Sequence, residues 1–336
     1  MIQKNKNNRF PSNIKYVKNI TDFNIMSCIE YSFCIFKSIN DILILICSEV
    51  NSIISYNLNN FQKLSEIKNA QENIVSFRHL FDKYKKRDLI ISVSSVKNNV
   101  KLWTFNNWKC LYNYIEPKNN DFLFSACFLD NNSQIFIIIS KYCNDYPSDE
   151  IKVYDLTGKK IKEINNSKDK TVFIDSFFDN ENSKHYIITG NRGNVKSFDF
   201  NNNQEYYTYA EKYDNNHHHS IVIKQNKDIT LMFESDLYSF LRIWNFHSGI
   251  MLNKIEIDNK PQGICLLNEK YLLIGSMLYI KIYDFEEGKI IKNIDCENKE
   301  ILVNIKVFTH PKLGECMVSQ NYDDTIKLWI IDYKNQ

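Results

Sequence analysis

The sequence predicts an all-β fold, a seven-bladed β-propeller that is closed by an N-terminal strand pairing into the last blade. Three observations predict this fold. A short strand with an aromatic residue at its fifth position occurs seven times, and each copy lies within a set of strands graded from apolar to polar. The chain also ends before the last set is complete. Sets of four strands at intervals of roughly 40 to 50 residues are typical of propeller blades.

The aromatic strand is the clearest repeat. Its first copy is SIISYNL at 52–58 and its last is TIKLWII at 325–331. The residues at the fifth position are Tyr56, Trp103, Tyr154, Phe198, Trp244, Tyr283 and Trp329. Neighbouring copies lie 39 to 51 residues apart, so no unit is missing or doubled. The spacing therefore predicts seven blades, each with this strand in third place.

Three other kinds of strand surround each aromatic strand. A nearly continuous apolar run precedes it, such as DLIISVSS at 88–95, and predicts a strand buried on both faces. Before that run comes a strand with polar interruptions, such as VFIDSFFD at 172–179. An alternating polar strand follows, such as KCLYNYI at 109–115, and predicts an outer strand with one face in water.

The last repeat has no outer strand after it, because the chain ends at residue 336. A matching segment lies at the other end of the chain, where KYVKNI at 15–20 resembles the outer strand KIIKNI at 289–294. An open sheet edge invites aggregation unless it is covered. We therefore expect one blade to be built from both ends of the chain. The expected boundaries are a flexible tail, one propeller and a second tail, at 1–11, 12–332 and 333–336.

The repeats resemble those of the WD-repeat β-propeller family over about residues 12–332. The closest copy is SQNYDDTIKLW at 319–329. In the family a strand Ser or Thr, a turn Asp and a strand Trp belong to one hydrogen-bonded set. Ser319, Asp323 and Trp329 match these three positions. The resemblance thus implies a structural role for all three.

Other features of the family are matched only in part. Trp103 and Trp244 occupy the same strand position as the family's Trp, and we assign them a structural role. The Gly-His pair that opens each blade in the family is absent. Because the chain has only eight glycines, we expect Asn at left-handed turn positions, which its side chain permits.

Composition excludes several classes of function. A net charge of +2, from 42 basic and 40 acidic residues, gives no overall field that would attract nucleic acid or an anionic membrane. The apolar run ILILIC at 42–47 is far shorter than the roughly 20 residues of a transmembrane helix. MIQKNKNNRF at 1–10 lacks the apolar core of a signal peptide. We expect a soluble, cytoplasmic protein whose nine scattered cysteines are reduced thiols.

The sequence contains no pattern typical of catalysis. It lacks the phosphate-binding loop, the G-x-S-x-G elbow and the H-E-x-x-H zinc motif, so we predict a protein that is not an enzyme and has no cofactor. Three adjacent histidines at 217–219 point in alternating directions in an extended segment and are poorly placed to share one metal ion. We expect instead a polar loop that enters the fifth blade.

One basic segment, FDKYKKRD at 81–88, concentrates four cations around Tyr84. Its flanking residues Asp82 and Asp88 dilute that charge and favour a solvated loop. The alternative is a site for an acidic partner or a phosphate group. The cations are Lys83, Lys85, Lys86 and Arg87.

These observations favour a non-catalytic scaffold that binds other proteins or peptides on its loop faces, with the chain acting as a monomeric propeller within a complex. This expectation rests on analogy, because a fold does not imply a function. Two alternatives stay open. One is a phosphoinositide or membrane-surface binder that uses residues 83–87, although the paired-Arg F-R-R-G motif of such propellers is reduced to NRG at 191–193. The other is an enzyme that uses the central pocket.

One loop face is the better candidate for binding. Loops from an outer strand to the next blade gather with loops from the second to the third strand on one face of a propeller. Aromatic, Met and Arg side chains on such a face are the types that dominate interface energetics. The candidates are Asn73, Phe122, Tyr146, Arg192, His219, Tyr238, Met277 and Tyr322. The opposite face offers the basic loop at 83–87 and Trp108.

Overall fold

Seven four-stranded antiparallel sheets form a ring, in a computed structural model that describes thirteen segments of the chain. The described residues are 10–21, 32–49, 51–94, 99–115, 122–142, 150–166, 171–212, 214–236, 240–257, 263–276, 278–295, 302–321 and 325–334. Within these segments no helix has the length and apolar character needed to cross a membrane. The seven-bladed propeller predicted from the repeats is confirmed.

Each blade runs from an innermost to an outermost strand. Blades one to three are β2 (Cys34–Lys37), β3 (Leu43–Glu49), β4 (Ser52–Asn57), β5 (Gln62–Ile67); β6 (Ile74–Asp82), β7 (Arg87–Ser94), β8 (Asn99–Thr104), β9 (Lys109–Ile115); and β10 (Phe122–Asp130), β11 (Ile135–Tyr142), β12 (Glu150–Asp155), β13 (Lys160–Asn165). Blades four to six are β14 (Thr171–Asp179), β15 (Lys184–Asn191), β16 (Val195–Asp199), β17 (Gln204–Tyr209); β18 (His218–Gln225), β19 (Thr230–Asp236), β20 (Phe240–Asn245), β21 (Met251–Glu256); and β22 (Gly263–Leu266), β23 (Tyr271–Gly275), β24 (Tyr279–Asp284), β25 (Lys289–Asp295). Blade seven is β26 (Leu302–His310), β27 (Gly314–Asn321), β28 (Ile326–Lys334) and, outermost, β1 (Phe10–Asn19).

The two ends of the chain close the ring in blade seven. Strand β1 pairs antiparallel with β28, and Tyr16 lies opposite Trp329 in the ladder. The predicted closure is therefore confirmed. At each end the strands reach two residues into the expected tails, because Phe10 pairs with Lys334 and Pro11 with Tyr333.

The hydrophobic core is divided into clusters that lie between neighbouring blades. One cluster joins Ile282 of blade six to Ile14 and Trp329 of blade seven. Another joins Leu45 of blade one to Leu328 of blade seven. The second and third strands of each blade supply most of these side chains, whereas outer strands such as β5 are largely exposed. Burial thus follows the gradient of hydrophobicity predicted from the sequence.

Asparagine takes several left-handed turn positions, as the low glycine content predicts. Asn69, Asn73, Asn132 and Asn203 have φ values of 53°, 44°, 66° and 59°. Asn tolerates this region better than other non-glycine residues because its short side chain can hydrogen-bond locally. The sequence can therefore form tight turns between strands with few glycines.

The six described cysteines are free thiols: Cys34, Cys47, Cys110, Cys127, Cys265 and Cys316. Burial raises the pKa of the Cys34 thiol to about 12 and the pKa of Cys316 to about 11. Such thiols stay protonated at neutral pH and pack as small apolar side chains.

Removal of residues 1–20 is expected to open the ring, because β28 then loses its partner strand and a sheet edge is exposed. We expect aggregation or loss of a cooperative thermal transition, measured by calorimetry and by light scattering after size exclusion. Removal of residues 1–9 alone is the matched control, since it leaves β1 intact. A chain lacking residues 1–20 that stays monomeric with an unchanged melting temperature would contradict this closure.

Candidate functional site

The candidate loop face is the one at which the innermost strand of each blade begins and the second strand ends, and we call it the upper face. Asn73 directly precedes β6, and Phe122 is the first residue of β10. Arg192 directly follows β15, and His219 is the second residue of β18. The described backbone therefore places these four candidate positions on the same face.

The remaining candidates Tyr146, Tyr238, Met277 and Tyr322 lie outside the described residues, as do the side chains of Phe122 and His219. The backbone N–H of Asn73 donates to Asn51 Oδ1 at 3.0 Å, which ties together two loops of blades one and two. Arg192 is exposed, and its Nε donates to the carbonyl of Asn215 at 3.3 Å. Arg192 is thus the candidate whose exposed side chain is best defined.

The histidine segment differs from the expected loop. Strand β18 begins at His218, which lies opposite Asp236 in the ladder with β19. His218 and His219 are therefore strand residues, and the loop prediction is wrong for both. These residues form a strand and not a loop because the backbone groups of an inner strand need hydrogen-bond partners, which β19 supplies.

Two loops meet beside Arg192 at what we call the blade four–five junction, residues 191–194 and 214–217. Gly193 N–H donates to the carbonyl of Asn216 at 2.7 Å, and Arg192 forms an isolated β-bridge with His217. Gly193 has a φ of 87°, and a Cβ at this position would lie 2.6 Å from the carbonyl oxygen of Asp214. The close approach of the two loops therefore requires glycine at residue 193.

A buried guanidinium group lies beneath this junction. Arg242 on β20 is 2% exposed and contacts four carboxylates. Its Nε lies 2.5 Å from Glu211, one Nη lies 2.8 Å from Asp214, and the other lies 2.9 Å from Asp236 and 3.3 Å from Glu234. We refer to these five residues and His218 as the Arg242 cluster.

His218 adds a second positive charge to the Arg242 cluster. Its Nδ1 hydrogen-bonds to Glu234, and its Nε2 lies 3.4 Å from Asp214 Oδ2. Burial disfavours the charged imidazolium, but the charges and hydrogen bonds of Glu234 and Asp214 outweigh burial and raise the pKa of His218 to about 9. His218 is therefore protonated at neutral pH.

The carboxylates of the cluster form ion pairs with these cations. Burial opposes ionisation of Asp214, but hydrogen bonds from His218 and Asn216 and the charge of Arg242 lower its pKa to about 2. Glu211, at the edge, also pairs with Lys254 at 2.6 Å. Nearly every buried charge thus has an opposite partner, which is the condition for a desolvated ion cluster to persist.

In blades two and seven the residue at the position of Glu234 is a serine, which accepts a hydrogen bond from the tryptophan of the third strand. Trp103 Nε1 donates to Ser92 Oγ at 2.8 Å, and Ser92 in turn hydrogen-bonds to Gln71. Trp329 Nε1 donates to Ser319 Oγ at 2.8 Å in blade seven. The Trp329–Ser319 pair has the hydrogen bond that the resemblance implies, and Trp103 and Ser92 form the same bond in blade two. Asp323, the third predicted member of the set, lies outside the described residues.

Blade five replaces this serine with a glutamate. Glu234 lies opposite Arg242 at the ladder position where Ser92 lies opposite Lys101 and Ser319 opposite Lys327. Trp244 is buried, and its Nε1 has no hydrogen-bond partner among the described residues. Glu234 and Arg242 are not among the residues predicted from the sequence. The available signals were the acidic residue in MFES at 232–235 and the Arg in LRIW at 241–244.

The basic loop on the opposite, lower face is half neutralised by ion pairs. Lys83 Nζ lies 3.0 Å from Asp130 Oδ2, and Arg87 Nε lies 2.9 Å from Asp82 Oδ2. The other two cations are exposed, namely Lys85 and Lys86. Two of the four predicted cations are thus engaged in ion pairs within the protein, as the flanking acidic residue Asp82 suggested.

Trp108, the other lower-face candidate, packs on its own surroundings. Its Nε1 donates to Ser65 Oγ of blade one at 2.9 Å. Its ring lies edge-to-face against Phe105, with centroids 5.2 Å apart. The hydrogen bond links blade two to the outer strand of blade one. Together the two contacts explain the position of the Trp108 side chain without a partner protein.

Comparison with known proteins shows the fold. No known protein family matches the chain by sequence, and no curated protein does. The fold is similar to a crystal structure described as BBS1N in complex with ARL6DN, soaked with lead, with a TM-score of 0.72 over 96% of this chain and 98% of that chain. Sequence identity is 9%, and 1414 chains of solved structures match in all, so the likeness establishes the propeller fold and does not select a function.

The hydrogen bond between Trp329 and Ser319 is expected to show coupling in a double-mutant cycle. Ser319→Ala should cost about 1 to 2 kcal/mol because it leaves a buried indole N–H unpaired. In a Trp329→Phe background the same change should cost about 1 kcal/mol less, because the phenyl ring has no N–H. Trp329→Ala should cost about 3 to 5 kcal/mol as a large-to-small core change. Urea unfolding of Ser319→Ala, Trp329→Phe, the double variant and Trp329→Ala measures these costs. Additive effects of Ser319→Ala and Trp329→Phe would contradict the coupling.

Protonation of His218 is expected to make stability depend on pH. Its folded-state pKa of about 9 lies above the ordinary value of 6.5, so its contribution is complete below pH 6.5 and is lost as pH rises through about 9. The contribution is on the order of 3 kcal/mol. The free energy of unfolding of the wild type minus that of His218→Gln, measured from pH 6 to 10, should fall over this range. A difference that stays constant would contradict the charged state.

Proposed function

We propose that this protein is a non-catalytic interaction scaffold of the WD-repeat type, which binds partner proteins through its upper face. The proposal rests on the exposed Arg192. This residue is hydrogen-bonded to Asn215 in the neighbouring loop, and Asp214 in that loop forms an ion pair with the buried Arg242. The residues of this site bind and orient a partner, and we assign catalysis to none of them.

A braced loop favours binding for a physical reason. Ordering a flexible side chain at an interface costs about 0.5 to 1.5 kcal/mol, so a surface that is ordered beforehand avoids part of that cost. Gly193 and Asn216 link the two loops, and Asp214 anchors the second loop to Arg242. Arg192 therefore extends from a fixed backbone, and Arg is among the residue types enriched at binding hot spots.

Two further observations support this type of scaffold. The Trp–Ser hydrogen bonds of blades two and seven match part of the set found in WD-repeat blades. The similar crystal structure contains BBS1N in complex with ARL6DN, and we propose that this chain likewise acts by forming complexes with other proteins. We place it in the cytoplasm, as a single propeller within such a complex.

A membrane-surface function has less support. Lys85 and Lys86 are the exposed cations of the basic loop, while Lys83 and Arg87 are paired with carboxylates. An anionic headgroup would have to compete with those ion pairs or bind to two lysines alone. Flotation with vesicles that contain or lack phosphoinositide tests this alternative directly.

The scaffold proposal is tested by face-specific substitution. A partner is first captured by affinity purification, and its dissociation constant is measured with purified components. Arg192→Ala is expected to weaken binding at least about tenfold, as expected for a hot-spot residue. Joint replacement of Tyr146, Arg192, Tyr238 and Tyr322 with alanine should abolish binding. Circular dichroism and melting temperature confirm that each variant keeps its fold.

The matched control replaces the lower-face candidates Lys85, Lys86 and Trp108 with alanine and should leave the dissociation constant unchanged. Undiminished binding by the upper-face variant, together with loss of binding by the lower-face variant, would show that the partner binds on the lower face.

A further inference from the structure

Three potential metal ligands converge on the lower face where blades four and five meet. Asp179 is the last residue of β14, Glu181 lies in the turn that follows it, and His247 lies in the turn between β20 and β21. One ligand atom from each residue lies within 4.8 Å of the other two. The residues come from two neighbouring blades, so the packing of blade four against blade five brings them together.

Asp179 is buried and its carboxylate is held in one orientation. Its Oδ1 accepts hydrogen bonds from the Glu181 backbone N–H at 3.0 Å and from Gln225 Nε2 at 2.6 Å. Its Oδ2 accepts one from Asn182 Nδ2 at 2.6 Å. Hydrogen bonds that orient a ligating carboxylate in this way are typical of metal sites.

His247 directs a buried nitrogen toward this carboxylate. Its Nε2 lies 3.6 Å from Asp179 Oδ2, too far for a hydrogen bond, and has no hydrogen-bond partner among the described residues. Its Nδ1 lies 3.4 Å from the Tyr206 hydroxyl. If Nδ1–H donates to Tyr206, the lone pair of Nε2 faces the carboxylates. A ligating histidine commonly has this arrangement, with the second ring nitrogen donating to an oxygen.

We propose that Asp179, Glu181 and His247 bind one divalent transition-metal ion such as Zn²⁺. One imidazole and two carboxylates form a mixed donor set that suits zinc, whereas Mg²⁺ and Ca²⁺ prefer oxygen ligands alone. Glu181 is exposed and can adjust to an ion, while Asp179 and His247 are set by their blades. Three protein ligands leave a fourth position for water or for a side chain of a bound protein.

The Arg242 cluster has more carboxylates, but it is not the better candidate. A guanidinium group occupies its centre and contacts four acidic side chains. The metal site lies on the opposite face of the disc from Arg192. It is therefore independent of the upper-face binding that we propose, and either proposal can fail alone.

The simplest alternative is an ion pair between protonated His247 and Asp179 without a metal. The two arrangements differ in their response to added metal. Purified full-length protein is freed of metal with a chelator and titrated with ZnCl₂ at pH 7 in a calorimeter. We expect one Zn²⁺ per chain, a rise in melting temperature upon binding, and no comparable binding of MgCl₂.

Substitutions assign this binding to the three residues. His247→Ala and Glu181→Gln should each weaken Zn²⁺ binding at least about tenfold, as expected when a ligand is lost. Glu181→Gln carries the test if His247→Ala fails to fold, since Glu181 is exposed. His185→Ala is the matched control, because this half-buried histidine is the second residue of the next strand, β15, at the same face, and lies outside the group.

Three results would overturn the metal site. The first is no saturable Zn²⁺ binding by the wild type. The second is binding that Glu181→Gln and a folded His247→Ala leave unchanged. The third is binding that is lost when His217 and His219 are replaced with alanine and kept when His247 is replaced, which would locate the ion at the histidine segment instead.

Discussion

The pairing of β1 with β28 is the constraint on which the rest of the structure depends. Each part of the core lies between two blades, so every blade needs a neighbour on both sides. Blade seven contributes Trp329 to the cluster shared with blade six and Leu328 to the cluster shared with blade one. Its outer strand also covers the last open sheet edge.

The Arg242 cluster shows how one blade can depart from the pattern of the others. Removing charges from water is costly, and a buried ion cluster is tolerated only when its members satisfy one another. Glu234 could replace a serine because Arg242 stands opposite it and His218 begins the neighbouring strand. The same residues connect β18, β19 and β20 to the loop at Asp214, so this replacement anchors the blade four–five junction on the upper face.

The sequence predicted the blade count and the closure because both depend on local patterns. The aromatic strand recurs in chain order, and the missing outer strand could be matched by eye to residues 15–20. The Arg242 cluster was not predictable in this way. Its members come from two strands, the start of a third and a loop, and only the ladder register shows that Glu234 faces Arg242. Asp179 and His247 meet across two blades, and no spacing rule in the sequence connects them.

The closing ladder also determines where the chain ends lie. Phe10 and Lys334 are opposite each other in that ladder, so the first and last described residues are neighbours. Adjacent ends of this kind permit circular permutation, in which a short linker joins them and new ends are made in another surface loop. Any domain fused before Phe10 and any domain fused after Lys334 would be held side by side at the rim of the disc.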